Sequence, residues 1–166
     1  HTDPEEACQF IFNNFKNDII FWPQLVKRSF LENMYVQFSQ GLPGVVIEKE
    51  KQRIYFDTEK KDFLNGMEET ISAYSKEDLD YFAILPDFAA GFYEMLNLIK
   101  DLKGIEYFKG QVIGPVSFGL TVKDQNNNPV FYNKDLQEVI TKSIAQKAKW
   151  QIRKIKSKNE KVKSII

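Results

Sequence analysis

The chain has 166 residues, 43% of them hydrophobic and 14% aromatic, enough to bury a sizeable core as a single domain. Lys plus Arg and Asp plus Glu each number 23, so the formal net charge is zero and there is no global pull towards nucleic acid or an anionic membrane. A lone cysteine, Cys8, excludes an internal disulfide and fits a reducing, cytoplasmic setting, while no apolar run reaches the roughly 18 to 20 residues of a membrane span and no signal peptide is legible.

The opening "HTDPEEA" begins on a residue other than Met and already at a helix cap, which reads as a chain shortened upstream. Thr2 or Asp3 caps a first helix, Pro4 takes its first position, and Glu5 and Glu6 put negative charge in its first turn; it runs to about residue 17. "DIIFWP" is a short apolar strand stopped by Pro23. A second helix is expected over about 25–40, where Phe30, Met34 and Phe38 recur at four-residue spacing. "GLPG" ends it, and "VVIEKEKQRIYFDT" then reads as an antiparallel hairpin at about 45–57, inserted into an otherwise alternating chain. Helices follow at about 60–74 and 86–102, the latter with Phe88, Phe92, Met95 and Leu96 on one face. The strand 107–113 leads into a turn rich in small residues, "GPVSFGLT". After the polar loop "DQNNNPV", Asn133 caps a long helix to about 157 whose stripe includes Leu136, Ile140, Ile144, Ala148, Ile152 and Ile155, and the chain ends on the strand "VKSII".

Strands alternating with helices point to parallel strand-helix-strand units, hence an α/β fold. Only three barrel-type strands can be counted, at 19–22, 107–113 and 162–166, and three parallel strands leave two open edges. The expectation is therefore a piece of a larger α/β structure, with residues at strand ends lining a site.

Six segments carry a resemblance: "HTDPEEA", "FWPQLVKRSF", "GLPGVVIEKEKQRIYFD", "DFAAGFYEML", "KGQVIGPVSFGLTVKDQNNNPVFY" and "AKWQIRKIKS". Together they resemble the N-terminal half of bacterial and archaeal relatives of cobalamin-independent methionine synthase, within the superfamily that includes uroporphyrinogen decarboxylase. The resemblance spans nearly the whole chain, and "FWPQLVKRSF" and "GQVIGPVSFGL" are its most specific pieces. It implies part of a (β/α)8 TIM barrel, with His1 just after a missing first strand and a missing C-terminal half, or a partner chain, completing the structure. It also implies methyl transfer to a thiol held on zinc, whose ligands would lie outside this chain, or else decarboxylation of a porphyrinogen. "WPQLVKRSF" departs from the "MRQAGR" segment with which the decarboxylases hold substrate carboxylates. No metal ligand is assigned within the chain, since Cys8 and His1 fall short of the usual three or four protein ligands.

The candidate site residues each admit two readings. Gly114, Pro115 and Ser117, with Gly119, form either a substrate-facing turn or a tight strand-to-helix link that needs unusual backbone angles. Lys27 and Arg28, just past a strand end, either clamp a carboxylate or phosphate of a small-molecule substrate or are exposed helix charges. Trp22 and Gln24 share that strand end, Trp22 as core or as ligand platform, and Gln111, polar within a strand, needs a partner. His1 is placed as an acid, base or hydrogen-bond donor at the site, with a simple chain-end role as the alternative. Lys123 and Asp124 pair either at the site mouth or as a turn ion pair. A rival class of function comes from the stretch between Lys142 and Lys163, with nine Lys or Arg against Glu160 alone and Trp150 among them. That is either a non-catalytic module binding nucleic acid or an acidic partner, or the solvated face of an amphipathic helix, and the second is the more frequent case.

Overall fold

The computed structural model describes residues 1–100 and 104–166. In chain order its elements are α1 (Pro4–Phe15), β1 (Ile19–Phe21), α2 (Met34–Ser39), β2 (Val45–Glu48), β3 (Arg53–Phe56), α3 (Phe63–Ser75), α4 (Ala90–Ile99), β4 (Tyr107–Lys109), α5 (Pro115–Thr121), β5 (Lys123–Asp124), α6 (Lys134–Lys158) and β6 (Lys163–Ile165). The class is α/β, with two three-stranded sheets. No helix among the described residues is long and apolar enough to cross a membrane. The chain divides into two compact units, His1–Asn33 with Ile84–Gln111 and Ala148–Ile166, and Met34–Ala83 with Val112–Lys147.

The first unit holds the parallel sheet, in the order β1-β4-β6, with Ile19 opposite Tyr107 and Tyr107 opposite Lys163. These are the three strands expected from the apolar runs, in chain order across the sheet, but the one expected over 107–113 stops at Lys109, so Gln111 lies beyond it. Alternation along each strand divides its faces. Ile20 and Phe108 are fully buried, whereas Ile19 and Ile165, on the opposite face, are 44% and 41% exposed. Helix α1 begins as its sequence dictates: Asp3 accepts from the Glu6 amide at 2.9 Å and Pro4 stands at the first position. It packs on α4, where the Cys8 thiol donates to the Gly91 carbonyl at 3.3 Å. A Cβ on Gly91 would stand 2.5 Å from the Pro23 carbonyl oxygen, so only glycine lets α4 approach that close. Trp22, Phe92 and Trp150 fill the core, with ring centroids 5.6 and 5.4 Å apart in succession.

The second unit holds the hairpin, β2 antiparallel to β3 from Val45↔Phe56 to Glu48↔Arg53. Its sheet gains a third strand that periodicity did not reveal: β5 lies parallel to β3 through only Tyr55↔Lys123 and Phe56↔Asp124. Gly44 takes a φ of 74° at the entrance, which favours glycine, and its carbonyl accepts from the Asp57 amide at 2.8 Å. Phe56 and Phe118 meet edge-on in the core at 6.2 Å. Asn133 caps α6 through a 3.0 Å bond from the Leu136 amide, as its position predicts.

One expected element is corrected. The helix read over 25–40 is a 3-10 turn at Phe30–Glu32 followed by the six-residue α2. The competing local signal is Ser29, whose side chain accepts from the Leu31 amide and starts a separate turn, while Asn33 is extended and interrupts the helical path. Further on, the expected helix 86–102 is a 3-10 turn at Pro86–Phe88 and then α4, and its last two positions lie outside the described residues.

Candidate functional site

In the first unit the strand ends carry a buried polar cluster built around a residue that motif reading missed. The Gln151 amide, fully buried on α6, accepts from Trp22 Nε1 at 3.3 Å and from the Gln111 amide at 3.2 Å through its Oε1. Its Nε2 donates to the Gln111 carbonyl at 2.9 Å. One side chain thus satisfies three groups just beyond β1 and β4. Trp22 and Gln111 are brought together, Trp22 as a core residue with its indole N–H spoken for. The Gln111 side chain has a buried Nε2 with no hydrogen-bond partner among the described residues. Gly110, immediately before it, keeps the backbone clear of Gln151: a Cβ there would stand 2.9 Å from Oε1. A hollow of about 580 Å³ lies at the other end of the strands, with Asn17, Asp18, Glu106 and Tyr107 in its wall.

Arg28 is not free to clamp a substrate anion. Its Nη1 holds Glu32 Oε1 at 2.7 Å, and Glu32 is fully buried. Glu32 Oε2 accepts from the Leu25 amide at 3.2 Å, and the Ala90 amide at the start of α4 also bonds to the carboxylate. Burial pushes the Glu32 carboxyl above the usual range, and the Arg28 guanidinium only partly offsets it. This pair ties a turn to a helix start, a structural use of both charges. Lys27 is exposed beside it, and Gln24 is half-buried just past the strand end. His1 is exposed, with Nδ1 3.4 Å from Glu6 Oε2 and its ring against Phe10, so both of these partners stand on α1.

The remaining candidates belong to the second unit. Gly114 is extended, with φ −67° and ψ 133°, and a Cβ there would meet only Ser117 Oγ, at 3.8 Å. The expectation that this glycine serves an unusual backbone angle is therefore corrected. Gly119 is the packing glycine of the motif, since a Cβ there would collide with the Gln137 side chain. Pro115 opens α5, its carbonyl accepting from Gln137 Nε2 at 3.1 Å, and Ser117 is exposed. Lys123 and Asp124 do not pair with each other. Lys123 Nζ donates to Asn127 Oδ1 at 3.0 Å, and Asp124 Oδ1 accepts from the amides of Asn126 and Asn128 at 2.9 and 2.8 Å, closing the "DQNNNP" loop.

Lys147, counted with the basic face of α6 in the sequence, is buried to 1% exposure. Its ammonium nitrogen reaches the carbonyl oxygens of Gln40 at 2.8 Å and Phe82 at 3.5 Å, and burial pushes its pKa down to about 7. A signal for it existed. Lys147 and Gln151 stand three and seven residues after Ile144, on the apolar stripe itself.

No cluster of three or more His, Cys, Asp or Glu among the described residues could hold a metal ion. Cys8 does not fit a thiolate ligand, for burial pushes its thiol up to about 12. Compared with known proteins, the chain matches no family model, no curated protein and no solved structure.

Proposed function

We propose that this chain forms part of a (β/α)8 barrel of the methyltransferase type, which in its complete form transfers a methyl group to a thiol of a small molecule in the cytoplasm. Zinc would activate that thiol by lowering its pKa, held by residues outside this chain, because Cys8 and His1 do not make a site. The observation that carries the reading is the parallel sheet β1-β4-β6 in chain order, with the Trp22–Gln151–Gln111 cluster at the C-terminal ends of its first two strands. Barrel enzymes keep their chemistry at that end. On this reading Gln111 offers its unpartnered amide to a polar group of the substrate and Gln151 holds the Gln111 backbone in place. The resemblance also implies a substrate-facing role for Gly114, Pro115 and Ser117 of the second unit. The space at Gly114, which no local packing demands, supports a close approach by substrate.

The test uses the longest natural protein that contains this chain, purified with its metal retained. Zinc at about one per chain and methylation of a thiol acceptor are expected, with Gln111→Ala lowering turnover at least about tenfold while the near-ultraviolet circular dichroism stays unchanged. Absence of both zinc and thiol methylation, or a Gln111→Ala protein with unaltered kcat and KM, would refute it. Release of carbon dioxide from a porphyrinogen would instead favour the lyase reading, against which stands the engagement of Arg28 by Glu32.

A binding module is the second reading, favoured by the exposure of Lys156, Lys158 and Lys161 near the end of α6 and beyond it. Trp150 is fully buried against Phe92, however, and cannot stack on a base. Salt-sensitive retention of the chain by single-stranded RNA, lost on replacing these three lysines with glutamine, would put that reading first.

A further inference from the structure

We infer that the groove between α3 and the first turns of α6 is a docking surface for a basic amphipathic segment of a partner protein. The groove has a volume of about 480 Å³. Met67, Ile71 and Val139 form its apolar floor, and Glu68, Asp135 and Glu138 stand along its rim. Helical spacing continues the floor one turn back to Leu64, which is 71% exposed. An apolar stripe left in water on a helix already packed by its opposite side costs solvation without return in the isolated chain.

The charges select the occupant. Glu138 is partly neutralised by Lys142, 2.5 Å away, and that ammonium also lies 5.0 Å over the Tyr74 ring. Glu68 and Asp135 make no ion pair among the described residues. From Asp62 to Asp80 the chain carries six acidic residues and one basic one, Lys76, although the whole protein is neutral. A second hollow, which shares Glu68 and Ser72 with the first, has Glu68, Glu69 and Asp78 against the single cation Lys76 around Ala73 and Tyr81. Such a field repels nucleic acid and anionic membranes and attracts Lys and Arg. Apolar contacts on the floor fix the register, as in helix-in-groove recognition, where anchors recur at three- and four-residue spacing. The partner segment thus presents leucine-like side chains on one face and lysine or arginine on both flanks.

The experiment follows the methyl resonances of isotope-labelled methionine in the wild-type chain, which has three: Met34, Met67 and Met95. The probe is a synthetic helical peptide of roughly four turns, with leucines at positions i, i+4 and i+7 and lysines beside them. Titration is expected to shift Met67 and leave the fully buried Met95 unmoved. The double variant Glu68→Lys, Asp135→Lys, both positions exposed, is expected to bind at least about tenfold more weakly, as is the wild type at high salt. A Met67 signal that does not respond, or an equal response to a peptide with glutamate in place of lysine, would overturn the inference. So would a Met67 shift that follows protein concentration without peptide, which would assign the groove to a second copy of the chain.

Discussion

Replacing Lys147 with Met tests whether a buried amine sets the pH dependence of stability. The native pKa of about 7 lies below the ordinary value of 10.5, so between those values the unfolded chain binds the extra proton and stability rises with pH. Below the native pKa the cost is present in full, and 3.5 units correspond to about 5 kcal/mol. Between about pH 6.5 and about pH 9.5, the linkage relation returns roughly 3 kcal/mol of that cost. Met fills a similar volume but carries no titration. It leaves the Gln40 and Phe82 carbonyls without their donor, a pH-independent loss of about 1–3 kcal/mol. Urea unfolding of both proteins at the two pH values gives the difference directly. The variant should gain on the wild type by roughly 3 kcal/mol at the lower pH. A difference that stays flat within about 0.5 kcal/mol would show that Lys147 titrates as an ordinary lysine, with the carbonyls stabilising its ammonium.

Three further substitutions probe the contacts that join distant parts of the chain. Glu32→Ala should cost about 2–4 kcal/mol in urea unfolding, because the Leu25 and Ala90 amides lose a buried acceptor. A loss below about 0.5 kcal/mol would mean water replaces the carboxylate without penalty. Gly91→Ala should lower the melting temperature, the added methyl colliding with the Pro23 backbone at a cost of about 1–3 kcal/mol. An unchanged melting temperature would show that α4 can withdraw freely. Gln151→Leu, similar in bulk, should destabilise by about 2–4 kcal/mol, and it should alter the indole N–H resonance of Trp22. A Trp22 resonance indistinguishable from the wild type would remove Gln151 from the cluster.

Much of the fold was legible because it rests on local rules. Pro4 after Asp3, Pro23 after an apolar run, Asn133 before an amphipathic stretch and the charged tip of the hairpin all act within a few residues, and each element formed where these signals stand. The failure at 25–40 is of the same kind, since apolar spacing outweighed the capping preference of Ser29 that the backbone obeys. At the strand ends Trp22 and Gln111 were legible as candidates, the one aromatic at a strand stop and the other polar in an expected strand that in fact ends two residues before it. Their connector was not. Gln151 lies 40 residues beyond Gln111 in the chain, and nothing local relates the two.

The sequence by itself determined the class, the places of the three parallel strands and the bounds of the first and last helices, because those follow from periodicity and from backbone donors that need a partner nearby. The tertiary structure alone decided the fate of the charged and polar side chains. The Glu32 carboxylate was drawn to the Ala90 amide, Lys147 left the solvated face for two carbonyls, and Gln151 became the bridge between strands. The physical reason is desolvation. What a polar group costs or contributes depends on whether the packed chain removes water from it and which partner it supplies instead, and that is a property of contacts between segments far apart in sequence.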